Sequence, residues 1–226
     1  SDTAYGSGRL ALGEPPAKLQ LTVNKAGDGS GSVFSTPAGV DCGATCTAAF
    51  VQSTPVTLTA AAAAGSSFGG WSGACTGTDV CAVTINAASA ITATFTRNTF
   101  PLTVSKAGDG SGSVTSSPPG IDCGTTCAAT YSQSTPVTFT ATSAAGSSFK
   151  GWSGACTGTD LCAVTIDAAK AITATFTRNT FPLTVSKAGD GSGSVTSSPP
   201  GLDCGASCSA AFVQSTPVTL TAAAAA

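Results

Sequence analysis

Histidine and methionine are absent from this 226-residue chain. Without histidine no Ser-His-Asp triad and no Cys-His pair can be assembled, and the commonest metal ligand is missing. Charge is scarce as well: 9% of residues are charged and the net charge is −2. That leaves no basic footprint for nucleic acid. No run of apolar residues reaches the roughly 18 that a membrane-spanning helix requires. The chain opens at Ser1 with no charged-then-apolar leader, so it reads as a piece from which a signal peptide has been removed or as an internal piece. Large aromatics are few, with two Trp, two Tyr and ten Phe.

What the chain does have is ten cysteines and a repeat. Many half-paired thiols would be a hazard in a reducing cytosol, so this count points to an oxidising compartment. The repeat is a period of 81 residues: Leu21, Leu102 and Leu183 open matching LTV segments, Cys42, Cys123 and Cys204 keep the offset, and so do Trp71 and Trp152. The period divides the chain into a lead-in over 1–18, a first copy over 19–98, a second over 99–179 and a third over 180–226 that stops near its middle. The lead-in, SDTAYGSGRLALGEPPAK, has no periodicity and reads as a linker or the end of an upstream domain. The stop at Ala226 reads as the truncation of a longer array. By the period, the third copy has no Phe-x-x-Trp motif, second cysteine pair or final strands, which should leave apolar faces and a strand edge uncovered.

Within a copy the hydrophobic period is two, as in Val56-Thr57-Leu58-Thr59-Ala60 and Ile91-Thr92-Ala93-Thr94-Phe95. This predicts strands. Five per copy are expected: about 20–25, 32–37, 47–60 with a break near Pro55, 81–85 and 90–96. The alanine run 60–64 is read as the end of a strand rather than a helix. The Gly-rich stretch KAGDGSGSV occurs at Lys25–Val33, Lys106–Val114 and Lys187–Val195. A phosphate loop would lead into a helix and carry a Lys-Ser/Thr pair after its glycines. A calcium loop would need more acidic ligands than Asp28. The stretch is therefore read as a hairpin turn whose glycines supply positive φ.

The cysteines come in close pairs: Cys42 with Cys46, Cys75 with Cys81, Cys123 with Cys127, Cys156 with Cys162, and Cys204 with Cys208. Each copy holds an even number and can close its own bridges. The gaps are not the two-residue gaps of common zinc sites or redox motifs. Local disulfides are the reading, a four-cysteine metal site the alternative, and no cofactor is expected. Rings of about five to seven residues stabilise by roughly 2 kcal/mol each in the loop-entropy model, which matters for a unit with a small core.

Each full copy also carries Gly-Ser-Ser-Phe-x-Gly-Trp-Ser-Gly-Ala-Cys, at Gly65–Cys75 and Gly146–Cys156. An LTV strand, the GDGSGSV turn, TPAGVDCGATC, PVTLTA, GSSFGGWSGACTG and CAVTINAASAITATF follow in that order. Together they resemble the divergent branch of the internalin B-repeat family, a bacterial extracellular tandem module, over essentially all of residues 19–226. The resemblance implies a mostly β protein, a tandem array of small β-grasp-like units. It also implies a place on secreted or surface proteins and a role as spacer or adhesive segment rather than enzyme. The paired cysteines depart from the better-known internalin form. The family supplies no catalytic residues to carry over.

Trp71 and Trp152 allow two readings, a stacking platform for a sugar ring or a plug in a small core, and the second is preferred because aromatic burial dominates small cores. Asp28, Asp41, Asp79 and Asp109 are read as turn-formers, since they recur with the repeat whereas an active site is normally built once. The function expected is a non-catalytic extracellular spacer, adhesive or assembly segment. Its partners would be copies of itself or extracellular polymers, and short joints of about six residues, restricted by Pro101 and Pro182, would connect the copies. The alternative is a carbohydrate-binding appendage of a secreted hydrolase, which would expose both Trp rings.

Overall fold

The computed structural model describes residues 16–43, 46–124, 126–205 and 208–225. Nearly all of the lead-in lies outside them. The described residues up to Asn98 form one compact unit and those from Thr99 onward another. No helix occurs among them.

The first unit has seven strands: β1 (Lys18–Ala26), β2 (Gly31–Thr36), β3 (Thr47–Val51), β4 (Thr54–Ala62), β5 (Ser66–Gly73), β6 (Cys81–Ile85) and β7 (Ser89–Arg97). They form two sheets, β3-β1-β7-β5 and β2-β4-β6. In the larger sheet the first and last strands are central neighbours and run parallel, from Leu21 opposite Ser89 to Ala26 opposite Thr94. This mixed sheet carries the β-grasp-like character. Across the core from it lies a second β-sheet rather than a helix. The alternating residues read from the sequence are the ones that meet between the sheets. Leu21, Val33, Leu58, Ile85, Ile91 and Phe95 are all at most 1% exposed. An 80-residue unit buries only about 60% or slightly more of its chain surface, so this single layer of apolar side chains is its whole core.

Two expectations about strands are corrected. The stretch 47–60 is two strands, and the break falls at Gln52-Ser53, where Ser53 has φ 65°, not at Pro55, which lies inside β4. Ser66–Gly73, left out of the expected strands, is β5. Its Gly/Ser-rich sequence hides the period because the register against β7 shifts between Phe68 and Gly70. Gly70 accommodates the irregularity at φ 133°. A bulge places two residues opposite one, so Phe68 and Trp71, three apart, both turn to the core.

The KAGDGSGSV turn also differs from expectation. It joins β1 and β2, but these belong to different sheets, so the turn is a crossing at the end of the sandwich and not a hairpin. Gly27 takes the expected positive φ, at 90°, while Gly29 answers to a close approach. A Cβ on Gly29 would lie 2.6–2.7 Å from the backbone of Thr96. The Gly29 amide donates to the Phe95 carbonyl at 3.0 Å, the Arg97 amide donates to Asp28 Oδ1 at 3.0 Å, and Arg97 Nε donates to the Asp28 carbonyl at 2.8 Å. The loop is thus clamped over the end of β7.

The second unit repeats this plan with β8 (Thr99–Ala107), β9 (Gly112–Ser117), β10 (Ala128–Ser132), β11 (Pro136–Ser143), β12 (Ser147–Gly154), β13 (Cys162–Thr165) and β14 (Lys170–Arg178). The sheets are β10-β8-β14-β12 and β13-β11-β9. The expected joint of about six residues is corrected: Asn98 alone separates β7 from β8, and Pro101 lies inside β8, just before Leu102, where pairing with β14 begins, so its missing N–H deprives no β14 partner. The unit continues into β15 (Thr180–Thr184), β16 (Gly193–Ser198), β17 (Ser209–Val213) and β18 (Thr219–Ala224). These form two-stranded sheets, β15-β17 and β16-β18. Leu220 is 43% exposed where its counterpart one period earlier, Phe139, is 1% exposed.

All five cysteine pairs read from the sequence are bridged: Cys42–Cys46, Cys75–Cys81, Cys123–Cys127, Cys156–Cys162 and Cys204–Cys208. The rings are local, yet one end of each is rooted in the core, with Cys42 at 0% and Cys81 at 2% exposure. Peptide mapping without reductant is expected to recover these five short-range bridges and no cross-copy bridge. Free thiols or scrambled pairs in protein purified without reductant would contradict the fold.

Candidate functional site

The recurring aromatic motif builds one local arrangement twice. In the first repeat β5 carries Phe68 and Trp71 into the core, their rings 4.9 Å apart edge to face, with Phe95 of β7 5.4 Å from Phe68. Trp71 then braces the loop between Cys75 and Cys81 from both of its nitrogens. Its backbone amide donates to the Gly77 carbonyl at 2.7 Å and its indole Nε1 donates to the Asp79 carbonyl at 2.7 Å. In the second repeat the Trp152 amide donates to Gly158 O at 2.7 Å and its indole to Asp160 O at 3.0 Å.

Trp71 and Trp152, the candidate stacking residues, are 5% and 6% exposed. Neither indole stands on the surface as an exposed stacking platform. Each fills the core and satisfies its polar N–H on a loop carbonyl, as a buried Trp must.

The braced loop is the feature that the sequence reading passed over. Its tip places Val80 at 59% exposure in the first repeat and Leu161 at 70% in the second. Beneath each tip lies a cleft. The first, about 260 Å³, is lined by Thr59, Ala60, Phe68, Thr78, Asp79 and Val80. The second, about 250 Å³, is lined by the residues one period later, with Phe139 and Trp152 also contributing. The signal in the sequence was the recurrence of TGTDV as TGTDL inside the second cysteine ring.

The other acidic candidates serve turns. Asp28 Oδ1 and Asp109 Oδ1 accept from the Arg97 and Arg178 amides, and Asp41 Oδ1 accepts from Gly43 N at 3.4 Å. Among the described residues, no three His, Cys, Asp or Glu side chains gather as a metal site, and the one ion pair is Lys170–Asp167 at 2.6 Å. That hydrogen bond, and then the lysine charge, hold Asp167 below its ordinary pKa. The pair is solvent-screened at the turn before β14 and belongs to no cleft.

The model of the divergent InlB B-repeat domain matches the chain twice, over residues 19–99 and 102–180. No curated protein matches it by sequence. Among solved structures, the Bacillus anthracis TIE protein is similar with a TM-score of 0.52 and 10% identity, over 92% of this chain and 45% of that one. At that identity the likeness is one of fold, and this chain spans less than half of that protein's length. The major pilin protein (T-13) from Streptococcus pyogenes serotype GAS131465 gives a TM-score of 0.35 at 10% identity, over 72% of this chain and 97% of that one.

Proposed function

We propose that this chain, which belongs to the divergent InlB B-repeat family, is a non-catalytic extracellular module that sets other parts of a bacterial surface or secreted protein apart. The repeats run over 19–98 and 99–179, and 180–226 carries the opening strands of a third. The observation that carries the reading is the joint after the second repeat. One residue, Asn179, separates β14 from β15. Its amide donates to the Gly146 carbonyl at 2.9 Å and its carbonyl accepts from the Gln214 amide at 2.8 Å. Its side chain accepts from Ser148 Oγ at 2.6 Å and donates through Nδ2 to Gln214 Oε1 at 3.2 Å. One side chain and its peptide groups thus tie the end of one repeat to the start of the next, which is what spacing requires and what a flexible linker lacks.

The local disulfides support an oxidising, extracellular location. Low charge leaves little repulsion between neighbouring copies. The test is a display experiment: an epitope is anchored to a cell surface through no repeat, one repeat or two. Binding of a bulky antibody should rise with repeat number. Access that is unchanged, or that matches a Gly/Ser linker of equal residue count, would overturn the spacing role.

A further inference from the structure

The clefts beneath the stapled loops are not accounted for by spacing. We propose that each is a binding subsite for one pyranose ring of a neutral extracellular polysaccharide. The proposal goes beyond the spacing role and does not depend on it.

Three observations converge. First, the loop is held in shape before any ligand arrives, by the Cys75–Cys81 bridge and the two bonds from Trp71. A preorganised loop does not have to be ordered when a ligand binds, which lowers the cost of binding. Second, what it displays does nothing for the fold. Among the described residues, the Thr59, Thr78 and Asp79 side chains enter no hydrogen bond or ion pair, nor do those of Thr140, Thr159 and Asp160 in the second repeat. Val80 and Leu161 stand in solvent at the lip. Third, the chemistry is mixed in the way a sugar is mixed. The Phe68 or Phe149 ring and the aliphatic lip suit the C–H face of a pyranose, while two threonine hydroxyls and a carboxylate suit its hydroxyls.

The same residues define what is refused. Neither cleft is lined by a Lys or Arg, so an acidic sugar would bring its charge to an uncompensated aspartate. A cleft of about 250–260 Å³ falls below the roughly 300–1,000 Å³ of drug-sized pockets, which suits a single ring and excludes a cofactor. The cleft recurs with the 81-residue period, and the ligand class that matches a recurring subsite is itself a polymer of recurring units. Each subsite alone should be weak, with a Kd of about 1 mM.

The experiment is an amide NMR titration of the 226-residue chain with maltotriose, an N-acetylglucosamine trimer, a galacturonic acid trimer and oligolysine. At least one of the neutral sugars should produce saturable shifts at Thr78–Val80 and Thr159–Leu161, and the uronate none. Asp79→Ala with Asp160→Ala should weaken that binding at least tenfold while leaving shift dispersion and melting unchanged, because neither carboxylate supports the fold. Val80→Ala with Leu161→Ala provides a second, milder loss. The proposal is overturned if neither neutral sugar shifts these amides at tens of millimolar, if the uronate binds equally, if the aspartate variants bind as before, or if oligolysine alone binds, which would make the clefts sites for cationic side chains.

Discussion

Replacing Gly29 with alanine is expected to destabilise the first repeat by roughly 3 kcal/mol, the upper end of overpacking, while Gly191→Ala changes stability by less than about 0.5 kcal/mol. The two glycines sit in the same GDGSG sequence. The difference lies in what faces them. A Cβ at Gly29 would lie 2.6 Å from the Thr96 carbonyl carbon, and one at Gly110 would lie 2.5 Å from that of Thr177, whereas one at Gly191 meets nothing within 4 Å. These neighbours are backbone atoms of β7 and β14, already fixed by pairing with Ser67 of β5 and Ser148 of β12, so they cannot step aside as a flexible side chain could. Gly110→Ala should reproduce the Gly29 loss in the second repeat. Calorimetric melting of the three variants decides the matter. Equal effects for Gly29 and Gly191 would mean that the loop's own conformation, not the strand beneath it, demands glycine.

The second large effect is that of Trp71→Ala. Removing a buried Trp costs about 3–5 kcal/mol, against roughly 4–12 kcal/mol for a unit of about 80 residues. The ring also holds the Asp79 carbonyl, so the stapled loop loses one of its braces at the same time. The first repeat should melt roughly 15–30 °C lower. The transition of the second repeat, followed by Trp152 fluorescence, should stay where it was, because the core around Trp152 is drawn from its own repeat. Trp71→Phe should lie between, keeping part of the ring and forfeiting the indole bond. A shift of only a few degrees for the alanine variant would contradict the core role of this side chain.

How far the sequence disclosed this molecule depends on which signal each part used. Period-two alternation reported β1, β4 and β7 because their inward residues, such as Leu21, Leu58 and Ile91, are spaced two apart without interruption. Strand β5 was concealed because its bulge at Gly69-Gly70 sets Phe68 and Trp71 three apart, a spacing no strand template contains. The cysteine pairs were legible because each ring closes within a few residues, so proximity in sequence is proximity in space. The KAGDGSGSV turn was recognised as a turn, but its glycines were credited with positive φ alone. The approach of Thr96, far along the chain, cannot be read from nine local residues. The cleft was missed for the same reason. Thr59 of β4, Phe68 of β5 and the loop at Asp79 converge only through the packing of one sheet on the other, and each looks ordinary by itself.

The pairing of β1 with β7 has a mechanical consequence. The chain enters each full repeat at the start of one central strand and leaves at the end of its parallel neighbour. When the ends are pulled apart, these two strands must slide along each other in opposite directions. The hydrogen bonds joining six residue pairs, from Leu21–Ser89 to Ala26–Thr94, are then loaded together in shear, rather than opened one after another like a zip. The second repeat presents the same clamp between Leu102–Lys170 and Ala107–Thr175. A repeat of modest thermodynamic stability can therefore resist tension well, provided the tension runs along the chain, which is the direction in which a tether is loaded.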